Sequence, residues 1–333
     1  MPKVSATHNH RERQVVIVCG PTATGKTKLA LSLAHRFNGE LINADSRQMY
    51  QGMGIISGKD IEPGTIASFA HAVTIKQQKF SLVTHDIGGI PIWLYDVASP
   101  DKPLSASHFH DLAVSVIADI SARGKLPIIV GGSGFYLSFL FHEFDSLHIP
   151  PNRTLRSAFF QETTETLQQT LTVADPVRWN GMNASDRNNP RRLVRALEVA
   201  SWKKTHTQKH AGNTVFNPLW IGLRTNEEAL FRRIQDLVNV RLSSGALEEA
   251  KSMQHISQDL PASTTLGLRI LLRLLQGEID ANQAEVLWVR EEIRYAKRQM
   301  VWFKRQKDIR WYDAEEKEID AQVEKDVRQW YTR

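Results

Sequence analysis

The chain has 333 residues, of which 41% are hydrophobic and 23% charged, the composition of a globular protein large enough for a sizeable core and more than one domain. No apolar run approaches the about 18 residues of a membrane span, and the polar start MPKVSATHNHRERQ lacks the hydrophobic stretch of a secretory signal, so residues 1–12 are expected to be a disordered lead-in and the cytoplasm is the expected compartment. Cys19 is the single cysteine, which excludes an internal disulfide framework and a cysteine-based metal site, and 42 Lys+Arg against 36 Asp+Glu leave +6, a balance that permits a nucleic-acid partner without demanding one.

The first strand signal, QVVIVC, runs into Gly20-Pro21-Thr22-Ala23-Thr24-Gly25-Lys26-Thr27, which fits the spacing G-x-x-x-x-G-K-[ST]. Glycines let the backbone turn so that several N–H groups point inward, and the following helix adds its positive end. Lys26 supplies a cation for phosphate, and the Thr27 hydroxyl is the expected ligand of Mg²⁺. A helix is expected over Lys26 to Phe37, with Leu29, Leu33 and Phe37 on one face, ended by Asn38-Gly39. Glu40 to Ala44 reads as a second strand. It delivers Asp45, Ser46, Arg47 and Gln48 to a strand's carboxyl end, where ligands sit in doubly wound sheets.

Gly52 to Gly89 reads as loop with short helical pieces, and Pro91 to Val97 as a buried strand. Asp96, near its end, suits either a Mg²⁺-assisting carboxylate or a strand-ending cap. A helix over Ser105 to Arg123 follows, then a strand over Leu126 to Val130. The next turn, Gly131-Gly132-Ser133-Gly134, leads into a helix through Phe141. This second glycine turn places further backbone N–H groups at the same sheet edge.

Pro150 to Lys209 has no strand signal and reads as helices over Arg153 to Leu171 and Pro190 to Lys203, with a turn around Asp175 to Asp186. Arg187 to Lys209 and Arg290 to Arg310 are dense in basic residues, which raises the expectation of a polyanionic partner. Strand character returns over Asn217 to Arg224. Helices follow over Glu227 to Ser243, Leu247 to Met253, Thr264 to Leu275 and Asn282 to Arg305, with a last short strand over Ile309 to Tyr312. The expected fold is α/β: a phosphate-loop parallel sheet flanked by helices and joined by right-handed crossovers, formed by residues 13–147 and 210–333, with a helical insertion over 148–209.

GPTATGKT, INADSRQMY, GKLPIIVGGSGFYL, NPRRLVRALEV and AKRQMVWFKRQ with WYD occur in that order across nearly the whole chain. The ordered set resembles the tRNA dimethylallyltransferase (isopentenyltransferase) family. The resemblance implies transfer of a dimethylallyl group from its diphosphate to the exocyclic amine of the adenosine 3′ of a tRNA anticodon, without ATP hydrolysis, by a cytoplasmic and monomeric enzyme. It implies that Gly20 to Thr27 hold the diphosphate, with Thr22 and Lys26 on its oxygens and Thr27 at Mg²⁺, and that Asp45 is the general base. Ser46 and Gln48 would hold the adenine edge, Asp45 and Arg47 would join them in contacting the tRNA, Ser133 would line the channel, and Arg191, Arg192, Leu193, Val194 and Arg195 would contact the anticodon stem-loop. The chain departs from the family pattern at Ile92 to Asp96, where only the Asp is kept, and at Leu266 to Ile270. It departs again at Leu237, where an arginine that grips the diphosphate is expected, and Arg232 or Arg241 is the candidate substitute. Three other readings stay open: a prenyltransferase using free adenine nucleotides, a P-loop kinase or NTPase, and a non-catalytic tRNA-binding relative.

Overall fold

Strand β1 (Arg13–Cys19) is apolar on both faces from Val15 onward because the sheet it centres is covered on both sides. The computed structural model describes residues 13–332 apart from 62–64, 66, 76–77, 143, 145, 147–148 and 207–215. The lead-in expected over residues 1–12 lies outside the described residues. The chain divides into two units, one formed by Met1–Phe141 with Thr214–Arg333 and the other by His142–Asn213.

In chain order the first unit begins with β1, α1 (Lys26–Arg36), β2 (Gly39–Asn43), α2 (Gly54–Ser57), β3 (Ser68–Ile75), β4 (Gln78–Ile87), β5 (Ile90–Trp93), α3 (Ala106–Ala122), β6 (Leu126–Gly131) and α4 (Gly134–Phe141). The second unit holds α5 (Arg153–Ala158), α6 (Thr164–Ala174), α7 (Pro176–Gly181), α8 (Ala184–Arg187) and α9 (Pro190–Thr205). The first unit then resumes with β7 (Phe216–Arg224), α10 (Glu227–Ser243), α11 (Ala246–Ser252), α12 (Leu268–Leu275), α13 (Ala281–Phe303), β8 (Arg310–Asp313) and α14 (Ile319–Tyr331).

The eight strands form one sheet in the order β3-β4-β5-β2-β6-β1-β7-β8. Pairing is parallel from β5 through β8 and antiparallel from β3 to β5. The two-residue period of β1 sorts the core. Val15, Ile17 and Cys19 join Phe109, Leu112 and Val116 of α3 on one face, and Val16 and Val18 join Leu29 and Leu33 of α1 with Val323 and Val327 of α14 on the other. The parallel strands bring their carboxyl ends, and the turns after β1, β2 and β6, to one edge.

Two expectations need correction. The stretch from Gly52 to Gly89 is not mostly loop: it carries α2 and the β3–β4 hairpin, which adds an antiparallel edge to the expected parallel sheet. Its strands were hard to read because β3 is exposed or half-exposed throughout, and only Phe80, Leu82 and His85 of β4 are buried. Such strands show no clean apolar alternation. Likewise the turn expected around Asp175 to Asp186 holds the short helices α7 and α8, each started by a side-chain cap, Asp175 and Asn183 respectively.

The second unit packs Leu167 and Leu171 of α6 against Leu193, Ala196 and Leu197 of α9. Its polar clamp is Glu198, which is buried and accepts hydrogen bonds from Asn152 N–H (2.7 Å), Arg156 Nε (2.7 Å) and Arg195 Nη1 (2.8 Å). Arg156 and Arg195 hold the Glu198 carboxyl below its ordinary value against the opposing effect of burial.

Candidate active site

The turn after β1 is shaped by residues that only small or glycine side chains tolerate. Gly20 has φ +140°, and a Cβ there would lie 2.4 Å from the Leu223 carbonyl oxygen of neighbouring β7. Ala23 (φ +61°) and Gly25 (φ +81°) are also left-handed, so the backbone doubles back just before α1 begins at Lys26. Thr24 Oγ1 and Lys26 Nζ both donate to the Pro21 carbonyl, at 2.8 and 2.5 Å. The loop thus presents α1's free N–H groups and one ammonium to the sheet edge.

A cavity of about 430 Å³ opens there. Thr22, Ala23, Gly25, Lys26, Thr27 and Lys28 line it from the loop, Asp45 and Gln48 from the turn after β2, and Gly131 and Gly132 from the turn after β6. Asp60, Tyr95 and Gln299 add to the wall, and α10 contributes Arg233, Asp236, Leu237 and Arg241. Burial pushes the Lys26 ammonium down to about 8, with Asp45 and Asp60 pulling it partly back up. Burial, with negative charge from Asp60, likewise raises the Tyr95 phenol.

The Asp45 turn is held from beneath by Asn43, whose Oδ1 accepts the Asp45 N–H (2.8 Å) and whose Nδ2 donates to the Asp45 and Leu94 carbonyls (3.0 and 3.2 Å). Asp45 Oδ1 accepts the Arg47 N–H at 3.0 Å, fixing the carboxylate in an Asx turn. Ser133, on the second glycine turn, accepts the Ser46 N–H at 3.1 Å. Gly131 has to be glycine, since a Cβ would meet the Ala44 backbone at 2.4 Å. Gln299 ties the two glycine turns together: its Oε1 accepts the Thr22 N–H (2.9 Å) and its Nε2 donates to Gly132 O (3.0 Å).

The fold brings most of the sequence-derived residues to this place. Thr22, Ala23, Gly25, Lys26, Thr27, Asp45 and Gln48 line the cavity, while Gly20, Pro21 and Thr24 shape the loop from behind it. Ser46 and Ser133 join the two turns, and Arg47 lies over the Tyr295 ring at 4.2 Å. Asp96 is not part of the lining. Its left-handed backbone (φ +57°) turns the carboxylate to Lys59 Nζ (2.6 Å) and His85 Nε2 (2.8 Å), so it is neither a free metal ligand nor a simple cap. Burial raises the Asp96 carboxyl, but these two partners more than reverse that and leave it lowered.

Within the second unit, Arg191 and Arg192 are exposed, whereas Leu193 is fully buried in that unit's core and presents no surface to a partner. Arg195 is occupied by Glu198 and by the Ile149 and Ser146 carbonyls (2.7 and 3.0 Å). The run Arg191 to Arg195 is therefore divided by helical geometry, its first two residues facing outward and its later ones building the unit.

Asp60, Tyr95, Tyr295 and Gln299 join the site with no motif of their own in the sequence. Gln299 alone lies inside a family-like stretch, AKRQMVWFKRQ. Of the two arginines near Leu237, Arg232 is exposed and faces Glu228 at 3.9 Å; Arg241 is buried and reaches the cavity.

A family model described as IPP transferase matches residues 79–306. A tRNA dimethylallyltransferase of Anoxybacillus flavithermus is 33% identical over 305 residues, covering 90% of each chain. The crystal structure of the tRNA isopentenylpyrophosphate transferase of Bacillus halodurans is 29% identical, covers 97% of this chain and 99% of its own, and superposes with a TM-score of 0.64. A eukaryotic dimethylallyltransferase solved while acting on tRNA shares the fold at 23% identity, with a TM-score of 0.72 over 95% of this chain and 78% of its own. With the phosphate loop and the Asp45 turn facing one cavity, and with this likeness along almost its full length, the chain belongs to the tRNA dimethylallyltransferase family.

Proposed function

We propose that this chain transfers a dimethylallyl group from dimethylallyl diphosphate to the exocyclic amine of the adenosine 3′ of the anticodon in tRNA. The observation that carries the reading is that Lys26 and Asp45 line the same cavity. The diphosphate seats on the loop from Gly20 to Thr27, with Thr22 and Lys26 toward its oxygens. The C1–O bond breaks as the adenine nitrogen bonds to C1, the pair from the broken bond leaves with the diphosphate, and the nitrogen's proton passes to Asp45. Loop amides and Lys26 neutralise charge as it develops on the leaving group. Asp45, oriented by the Arg47 N–H, makes the weak amine nucleophile competent by accepting its proton in the transition state.

Thr27 is the residue that would hold Mg²⁺. Among the described residues no cluster of three or more His, Cys, Asp or Glu is placed to hold a metal. Thr27 lines the cavity beside Lys26 and Lys28, and an ion held there would supply charge neutralisation on the diphosphate.

The target base has to leave the anticodon stack to reach C1. Ser46, Arg47, Gln48 and Ser133 are the residues that would receive it. Arg191 and Arg192, exposed at the start of α9, suit the backbone of the anticodon stem-loop, with Lys204 exposed at the helix's other end. A basic helical unit of this kind favours tRNA over a free adenine nucleotide as acceptor. No helix among the described residues is long and apolar enough to cross a membrane, and we place the enzyme in the cytoplasm as a monomer.

The test incubates the protein with labelled dimethylallyl diphosphate, Mg²⁺ and tRNA lacking the modification. Label enters the RNA, and Asp45→Ala lowers the rate by about 10²–10⁴, the usual contribution of a general base, while tRNA binding persists. Absence of label beside an active relative sinks the reading, and full activity in Asp45→Ala removes Asp45 from its role.

A further inference from the structure

We infer that Arg241 is a second cationic clamp of the anion site, binding the diphosphate from α10 while Lys26 binds it from the loop. The inference rests on the reading that this cavity takes a diphosphate.

Arg241 is only 8% exposed, yet it lines the cavity. Its simplest role is to neutralise Glu292, which is also buried and accepts Nη1 at 2.8 Å. That pair leaves part of the guanidinium unexplained, because Arg241 Nε is buried with no hydrogen-bond partner among the described residues. A buried donor of a charged group is costly to leave unpaired. Beside a phosphate loop, a ligand oxygen is the chemical partner that satisfies it.

The surroundings are shaped to seat this guanidinium. Gly58 has φ +67°, and a Cβ there would lie 2.0 Å from Arg241 Nη2. The Gly58 carbonyl is held by Gln48 Nε2 at 2.7 Å, so the backbone that abuts Arg241 is itself fixed. On the other side the Trp288 ring lies 5.9 Å from the guanidinium carbon, and Trp288 Nε1 donates to the same Glu292 oxygen at 3.3 Å. A planar group fixed in this way is preorganised for oxygen pairs of a diphosphate.

The competing cations on α10 are otherwise engaged. Arg233 pairs with Glu315 at 2.9 Å and reaches the Ala23 carbonyl at 3.5 Å. Leu237, one turn before Arg241, brings an apolar side chain to the same wall. The charge is thereby set about 6 Å further along the helix axis than Leu237.

The test is calorimetric titration of the full chain with inorganic pyrophosphate and Mg²⁺, without tRNA. Arg241→Leu in an otherwise intact chain leaves Glu292 unpaired, so the paired change Arg241→Leu with Glu292→Leu is measured as well, after circular dichroism shows it folded. Both are expected to weaken pyrophosphate binding roughly tenfold to a hundredfold, the range of one charge-assisted hydrogen bond, and Arg241→Lys should recover part of it. Adding Leu237→Arg to the double variant should also restore binding. The inference is overturned if the folded double variant binds pyrophosphate as the unmodified chain does, or if the unmodified chain does not bind it. Loss of binding in these variants supports the inference even if label never reaches tRNA, a result that would count against the proposed transfer alone.

Discussion

Lys26 sets a pH dependence that can be worked out from its surroundings. Burial lowers its ammonium from 10.5 to about 8 despite Asp45 and Asp60, and a drop of that size corresponds to about 3 kcal/mol spent on keeping the group charged. Below pH 8 that cost to folding is fully present. Between pH 8 and 10.5 the unfolded chain holds the extra proton, so stability rises with pH across this window. Donor binding runs the other way. A bound diphosphate favours the ammonium, so above pH 8 each binding event takes up a proton, and affinity falls by up to tenfold per pH unit. The donor's terminal phosphate, with a pKa of about 6, is already ionised there. The assay is calorimetry with dimethylallyl diphosphate between pH 7 and 9.5, in buffers of different ionisation enthalpy, for the unmodified chain and Lys26→Arg. By pH 9.5 affinity should be down roughly thirtyfold with measurable proton uptake, and the arginine variant, whose charge does not titrate, should show neither effect. A flat profile in the unmodified chain, or an equal decline in Lys26→Arg, would refute the assignment of Lys26 as the titrating phosphate ligand.

Gln299→Leu should leave the Thr22 N–H and the Gly132 carbonyl without their bridge. At about 1–3 kcal/mol for each unpaired group, thermal unfolding should fall by several degrees and the KM for the donor should rise. An unchanged melting temperature and an unchanged KM would remove Gln299 from the loop's support. Glu40 is buried beneath Arg123 and Lys125, which with Trp93 Nε1 (2.8 Å) hold its carboxyl down to about 2 although burial opposes them. Its stabilising contribution is present above its ordinary pKa and is lost as the pH falls toward 2. Allowing for the partial exposure of both cations, Glu40→Gln should cost about 1–3 kcal/mol at pH 7 and almost nothing near pH 2, measured by urea unfolding at both values. Arg191→Ala with Arg192→Ala should weaken tRNA binding and make the slope of log K against log salt shallower by up to about 0.9 for each phosphate these side chains neutralise. A filter-binding series that shows no change in slope would detach these residues from RNA.

What was legible in the chain was what depends on local pattern. The phosphate loop, the first helix and the parallel strands announce themselves through spacing and continuous apolar runs, and Asp45 could be placed because a strand's carboxyl end precedes it. The β3–β4 hairpin was missed because its outer strand buries almost nothing, so the physical cause of alternation is absent there. Gln299 has no signal of its own, and Arg241 stands in the sequence only as one of two candidate substitutes beside Leu237, for a different reason. Each acts across more than 50 residues of sequence, on Thr22 and Gly132 in one case and on Glu292 and the cavity in the other, and no short-range pattern records such a pairing. Leu193 belongs to a run that the resemblance assigns whole to tRNA contact, although a helix turns successive side chains through about 100° and buries this one.

The site also has to solve a problem that its chemistry creates. In the proposed transfer a cation for the leaving group and a carboxylate for the incoming amine share one cavity, and in a partly buried place opposite charges tend to collapse into a pair. If they did, Lys26 would be unavailable to the diphosphate and Asp45 to the proton. Among the described residues the two form no ion pair. Lys26 Nζ is drawn to the Pro21 carbonyl at 2.5 Å, and Asp45 Oδ1 is held by the Arg47 N–H at 3.0 Å. Each charge is thus parked on the backbone of its own turn, and both turns are tied to the second glycine turn, one through Gln299 to Gly132 and the other through Ser133, with Asn43 bracing Asp45. On this proposal an arriving diphosphate would replace only the weak neutral carbonyl at Lys26, a favourable exchange for an ammonium. Asp45 keeps its orienting bond throughout. In the proposed transfer the loop is therefore a holder for a departing anion, with the carboxylate kept out of an ion pair with Lys26 beside it.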